Sequence, residues 1–223
     1  MASTQELFEA IEAGDVARAD VILDADPPLA SSRDASGVSA LMRALYRFDK
    51  PLIEAVKRRV DELDVFEAAA FGDVDRLTEL LGEEPSLVTS YSGDGFTALH
   101  FASFFGRFEA AALLIERGAE VDAFGRGWMT GTAMHSAVSR LQSDVVRILL
   151  EAGANPNVRQ SAGWTPLHSS AANGDVTSVE LLLASGADPT ATNDEGRSVI
   201  DLATESDDEA TVDRIRSALQ AAP

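Results

Sequence analysis

The chain has 223 residues, 45% of them apolar, and its 37 acidic against 18 basic residues give a formal net charge of −19. That charge excludes nucleic acid and anionic membrane as partners, and the lack of any cysteine excludes a disulfide framework and a thiolate metal site. No apolar run approaches the roughly 20 residues that span a bilayer, and Met1-Ala2-Ser3-Thr4 opens no basic, apolar signal segment, so the expectation is a cytoplasmic protein that does not enter a membrane.

In chain order, residues 5–26 predict two short helices broken at Gly14, with Asp26-Pro27-Pro28 ending the second. Asp34-Ala35-Ser36-Gly37 is a turn, and Ser39 caps the next helix. Phe48-Asp49 then stands where a glycine is expected, so that turn is predicted to be irregular before the helix of Leu52, Ile53 and Val56. The third pair, from Leu63 to about Val88, keeps Ala68-Ala69-Ala70-Phe71-Gly72 but has no Thr-Pro start, and is predicted to be the weak point. The fourth follows Gly93-Asp94-Gly95 with Thr97-Ala98-Leu99-His100, and the fifth is entered through the longer Phe124-Gly125-Arg126-Gly127 and begins Thr132-Ala133-Met134-His135. The sixth is the clearest: Thr165 caps, Pro166 fits the first turn where its missing N–H is no loss, and Asn173-Gly174 stops the helix. The seventh begins at Asn193-Asp194-Glu195-Gly196, and its second helix, with Asp207, Asp208, Glu209, Asp213, Arg214 and Arg216, has the polar face of a terminal cap.

The pairs repeat in phase. His100, His135 and His168 are separated by 35 and 33 residues, and Gly118, Gly153 and Gly186 repeat both intervals. With Thr165-Pro166-Leu167-His168, this period makes the chain similar to the ankyrin-repeat family, most closely over residues 92–192. The resemblance implies an all-α solenoid of about six to seven helix-turn-helix units with protruding β-turn fingers. It would form a single domain over 1–223: an N-terminal cap at 1–33, repeats at 34–62, 63–91, 92–126, 127–159 and 160–192, and a C-terminal cap at 193–223. Sixteen arginines against two lysines fit a GC-rich bacterial or archaeal gene.

No catalytic constellation accompanies the repeats. Stacked helices lie roughly 8–10 Å apart, so three equivalent histidines do not share a zinc ion with bonds of about 2.0–2.1 Å. The resemblance makes them structural, and no metal or cofactor is expected. Ser136, His135 and Asp144 assemble a triad only on paper, without a nucleophile elbow. Gly125-Arg126-Gly127 lacks the strand and third glycine of a dinucleotide loop, and the Asp94 and Glu195 turns lack calcium-loop spacing.

The sequence concentrates its scarce aromatics at positions that the resemblance places on fingers and on the ends of inner helices: Phe96, Phe104, Phe105, Phe124, Trp128 and Trp164, with Met129 beside Trp128 and with Tyr46, Arg47 and Arg140 in matching places. Rings that bury about 150–250 Å² each make these the candidate partner-binding residues. For Phe96 and Trp164 a second reading, packing on the adjacent turn, stands beside exposure. The expected function is a non-catalytic protein–protein interaction scaffold that holds a basic or amphipathic partner on its concave face. A self-associating module, or a small-molecule or enzymatic role on the solenoid, is the alternative, and the expected state is a monomer or a weak self-associate.

Overall fold

The structure, a computed structural model, describes residues 3–127, 130–205 and 209–221. They form fourteen α-helices: α1 (Thr4–Ala13), α2 (Val16–Ala25), α3 (Ala40–Tyr46), α4 (Lys50–Lys57), α5 (Val65–Phe71), α6 (Val74–Glu83), α7 (Ala98–Phe104), α8 (Phe108–Glu116), α9 (Ala133–Ser139), α10 (Ser143–Glu151), α11 (Pro166–Ala172), α12 (Val176–Ala184), α13 (Val199–Ala203) and α14 (Glu209–Ala221). Extended pairing among the described residues is limited to two isolated bridges, Arg33 with Ser39 and Thr192 with Ser198, each just ahead of a helix. Helices this short are marginal alone, so capping and packing must hold them.

The caps are explicit. Side chains of Ser3, Asp15, Ser39, Asp49, Asp73, Thr97, Thr165, Asp175 and Ser198 each accept the amide three residues on. The third pair is capped too, although it lacks Thr-Pro. Asp64 Oδ1 accepts the amides of Phe66 and Glu67 at 2.8 Å, and Glu67 Oε2 accepts the amide of Asp64 at 3.0 Å. Asp-x-x-Glu thereby closes the reciprocal box that Thr-x-x-His closes elsewhere.

The helix-to-helix turns need a left-handed residue. Glycine supplies it at Gly14, Gly72, Gly106 and Gly174, but Phe48 (φ 55°) and Leu141 (φ 60°) adopt the same conformation with bulky side chains. The irregular turn expected at Phe48 is thus a regular turn built on an unfavourable residue.

The chain falls into two compact units, with the boundary inside α5: Met1–Glu67 with Ser92–Asp94, and Ala68–Tyr91 with Gly95–Pro223. In the first, α1 packs on α2 and α3, and α4 on α2 and α3, around Leu7, Ile11, Leu23, Leu41 and Leu52, all fully buried. In the second, α7, α9, α11 and α13 form an inner row, and α6, α8, α10, α12 and α14 an outer row. Leu114, Leu149 and Leu182 occupy one fully buried position of successive outer helices, at the same intervals of 35 and 33 residues as the histidines.

Candidate functional site

Each inner helix of the central repeats starts in a Thr–His frame. His100 Nδ1 accepts from the Thr97 amide (3.3 Å) and hydroxyl (2.8 Å), while Thr97 Oγ1 accepts from the His100 amide (3.4 Å). His100 Nε2 donates to the Gly131 carbonyl at 3.0 Å, one repeat on. His135 repeats this with Thr132 and with the Trp164 carbonyl at 3.4 Å. A carbonyl on Nε2 and a hydroxyl on Nδ1 select the neutral Nε2–H tautomer. Burial pushes all three histidines below their usual range, His135 down to about 4, with backbone carbonyls near each ring opposing the shift. His168 keeps the Thr165 frame, at 2.8 Å from the hydroxyl, but its Nε2 is buried without a hydrogen bond. Through Nε2, His100 and His135 each tie an inner helix to a backbone carbonyl ahead of the next inner helix.

The frames fix where the candidate binding residues fall in the second unit. Phe104 ends α7 and Phe105 caps it, with their rings edge-to-face at 5.1 Å. Arg140, the exposed C-cap of α9, lies 5.3 Å from the Phe104 ring centroid, within cation–π range. These three side chains from adjacent repeats therefore form one cluster at the turn ends of the inner helices. At the finger ends, Phe124 is 45% exposed. Its carbonyl accepts from the Tyr91 hydroxyl at 3.2 Å, and the Arg126 guanidinium stacks 3.7 Å over the Tyr91 ring. Gly95 makes the close approach of fingers here possible, since a Cβ on it would lie 2.5 Å from the Gly127 nitrogen. Trp164 is half-buried, its ring tilted against His168 at 6.2 Å.

One open reading is decided and two expectations change. Phe96 is only 4% exposed and packs on His100 and Phe101, at 5.7 and 5.9 Å between ring centroids, so it belongs to the core. Its aromatic ring is the right size to cover the imidazole behind the finger, and burial there outweighs exposure. Tyr46, in the first unit, is half-buried and donates its hydroxyl to Asp94, and burial, then that carboxylate, pushes its phenol up. Arg47 is exposed, yet its guanidinium donates to the Glu12 carbonyl at the end of α1, where it closes the helix terminus. Both residues are thereby engaged within their own unit. Trp128 and Met129 lie outside the described residues.

The sequence reading passed over Phe108 and Leu141. Phe108 opens α8 and is 40% exposed, and Leu141 precedes α10 and is 54% exposed. With Gly106, Gln142, Ser143, Asp144, Val145 and Thr177 they line a groove of about 260 Å³. Its signal was legible: Leu141 stands nine residues after Thr132, where Gly106 follows Thr97 and Gly174 follows Thr165.

Residues 65–160 and 129–193 match the family described as ankyrin repeats, in three copies. A probable E3 ubiquitin-protein ligase, XBOS31, from Oryza sativa subsp. japonica is 39% identical over 101 residues, which cover 44% of this chain and 22% of that protein. Ankyrin repeat and SAM domain-containing protein 6 of Mus musculus is 31% identical over 118 residues, 52% of this chain and 13% of that protein. The palmitoyltransferase Hip14 of Drosophila melanogaster is 32% identical over 100 residues, 45% of this chain and 15% of that protein. The chain thus spans about a fifth or less of the length of these relatives. No described helix is long and apolar enough to cross a membrane. The phased Thr–His frames, the paired inner and outer rows and the matched repeats together show that this chain belongs to the ankyrin-repeat family.

Proposed function

We propose that the chain is a non-catalytic protein-interaction module whose partner lies across the inner helices of the second unit. Phe104, Phe105 and Arg140 contact it at the turn end, and Phe124 and Trp164 at the finger end. Inner helices of seven residues set these two ends about 10 Å apart, a span that an extended or helical segment crosses. The observation that carries the reading is the Phe104–Arg140 pair, in which an exposed arginine from one repeat stands at an aromatic ring of the preceding one. Aromatic and arginine side chains of this kind dominate interface energies, at about 2 kcal/mol or more each.

The partner is basic or amphipathic. The acidic excess would speed encounter with a cationic segment and make its association rate fall with salt. Likeness to a ligase and a palmitoyltransferase is confined to their repeats and carries neither activity to this chain. The repeats supply recognition, and the module acts in a cytoplasmic setting.

The test is affinity capture with the wild type and with a Phe124→Ala/Arg140→Ala variant. The variant is expected to lose the partner while its melting temperature stays within about 2 °C, the scale of a surface change. Retention of every captured partner by a folded variant would contradict the reading. A dimer in the wild type that becomes a monomer in the variant would assign the surface to self-association instead.

A further inference from the structure

A second surface of the same unit faces away from the fingers, where the outer helices begin. Leu141 fills a left-handed backbone position (φ 60°) that Gly106 and Gly174 fill in the flanking repeats. A branched side chain is disfavoured there, and this one is 54% exposed, so burial within the chain does not offset the strain. Beside it Phe108 is 40% exposed, and the groove between them has an apolar floor at Val145, which is fully buried. Gln142, Ser143 and Thr177 edge the groove with groups that form hydrogen bonds, and among the described residues Asp144 is the one charged side chain lining it.

Volume and charge select the occupant. At about 260 Å³ the groove falls below the roughly 300–1,000 Å³ of small-molecule sites and suits one or two side chains of a peptide. A second copy would bring a chain of net charge −19 against another of −19. Asp144 is joined on the neighbouring outer helices by the exposed carboxylates Glu109 and Glu180. Arg147 lies 3.4 Å from Asp144, but both side chains are at least half exposed, so the pair is weak and a partner's cation can displace it. We propose that this groove docks a cationic amphipathic helix of another protein, which seats a large apolar side chain between Phe108 and Leu141 and a lysine or arginine on Asp144. The groove adjoins the turn end of the inner-helix surface, with Gly106 and Leu141 one residue after Phe105 and Arg140, and the finger residue Phe124 is not among the residues that line it.

The cysteine-free chain makes the test clean, because Ser143→Cys introduces its sole thiol at the groove edge for an environment-sensitive dye. The probe is a synthetic amphipathic peptide of leucine and lysine, about 18 residues or five turns long. It is compared with a leucine–glutamate peptide of the same pattern and a lysine peptide with its apolar face scrambled. The leucine–lysine peptide is expected to shift the dye and to bind with an affinity that Leu141→Gly lowers about tenfold or more. The glycine variant relieves the backbone strain, so it is expected to melt no lower than the wild type. Phe124→Ala is expected to leave this binding unchanged. Equal affinity of the peptide for the Leu141→Gly variant, equal binding of the glutamate or scrambled peptide, or a dye shift on raising protein concentration alone would each overturn the proposal.

Discussion

His100 and His168 differ by one hydrogen bond. Both occupy the same buried frame beside a capping threonine, but only His100 reaches a carbonyl of the next repeat through Nε2. Replacement by alanine removes the frame in both and the inter-repeat bond in one. His100→Ala is therefore expected to cost more than His168→Ala by roughly 1 kcal/mol, measured by urea denaturation. An equal loss would show that the inter-repeat bond contributes nothing. The three lowered pKa values set a pH window. Each histidine is neutral in the folded chain and ordinary, near 6.5, in the unfolded one, so its contribution is present above pH 6.5 and is lost as pH falls towards the folded value. For His135, with a folded value of about 4, the full loss is on the order of 3 kcal/mol. Melting temperature is expected to be flat between pH 7 and 8 and to fall below about 6.5, before the carboxylates titrate. A His135→Gln variant would flatten that fall. At this scale the threonine and histidine roles were legible, because their spacing fixes their partners. The sequence left the burial of Phe96 open between two readings, and the internal bonds of Tyr46 and Arg47 were not legible, because they depend on which neighbour a finger or a guanidinium turns towards.

Among the elements, α5 shows how one cap substitutes for another. The sequence lacked the Thr-Pro pattern at the third pair, and weakness was the natural inference. Asp64 and Glu67 form the same reciprocal bonds with carboxylates, and Glu67 also accepts the Ser39 hydroxyl at 2.5 Å in a buried position. Burial, then the nearby Asp64, raises the Glu67 carboxyl above its usual range. Asp64→Ala is expected to cost about 0.5–2 kcal/mol. Native-state hydrogen exchange of that variant should show the amides of Val65–Phe71 exchanging earlier than those of Leu167–Ala172, whereas in the wild type α5 is expected to have no such lead. Early exchange of α5 in the wild type would mean that the cap leaves this pair weak. The helix pairs themselves were legible from their phased leucines and glycines. The left-handed Leu141 was recorded in the same register and was missed because its neighbours, not Leu141 itself, carry the glycine that marks the turn.

For the whole molecule, the central claim is that the second unit recognises a partner across its inner helices. Recognition of the family followed from the period together with the Thr165-Pro166-Leu167-His168 signature, and the period reflects that each helix pair buries its apolar face only against its neighbours. The proposed partner surface was legible less completely, because exposure is decided by packing between repeats. Phe96 went inward, Phe124 stayed outward, and Phe108 and Leu141 emerged on another edge. The most direct measurement is site-specific photo-cross-linking in cells, with the photoreactive residue placed in turn at Phe124, at Arg140, and at Glu116 and Glu151 in the last turns of α8 and α10 as controls. Discrete cross-linked products from Phe124 and Arg140, sharing one partner and absent from Glu116 and Glu151, are what the account predicts. Products from the outer-helix controls with none from Phe124 or Arg140 would contradict it.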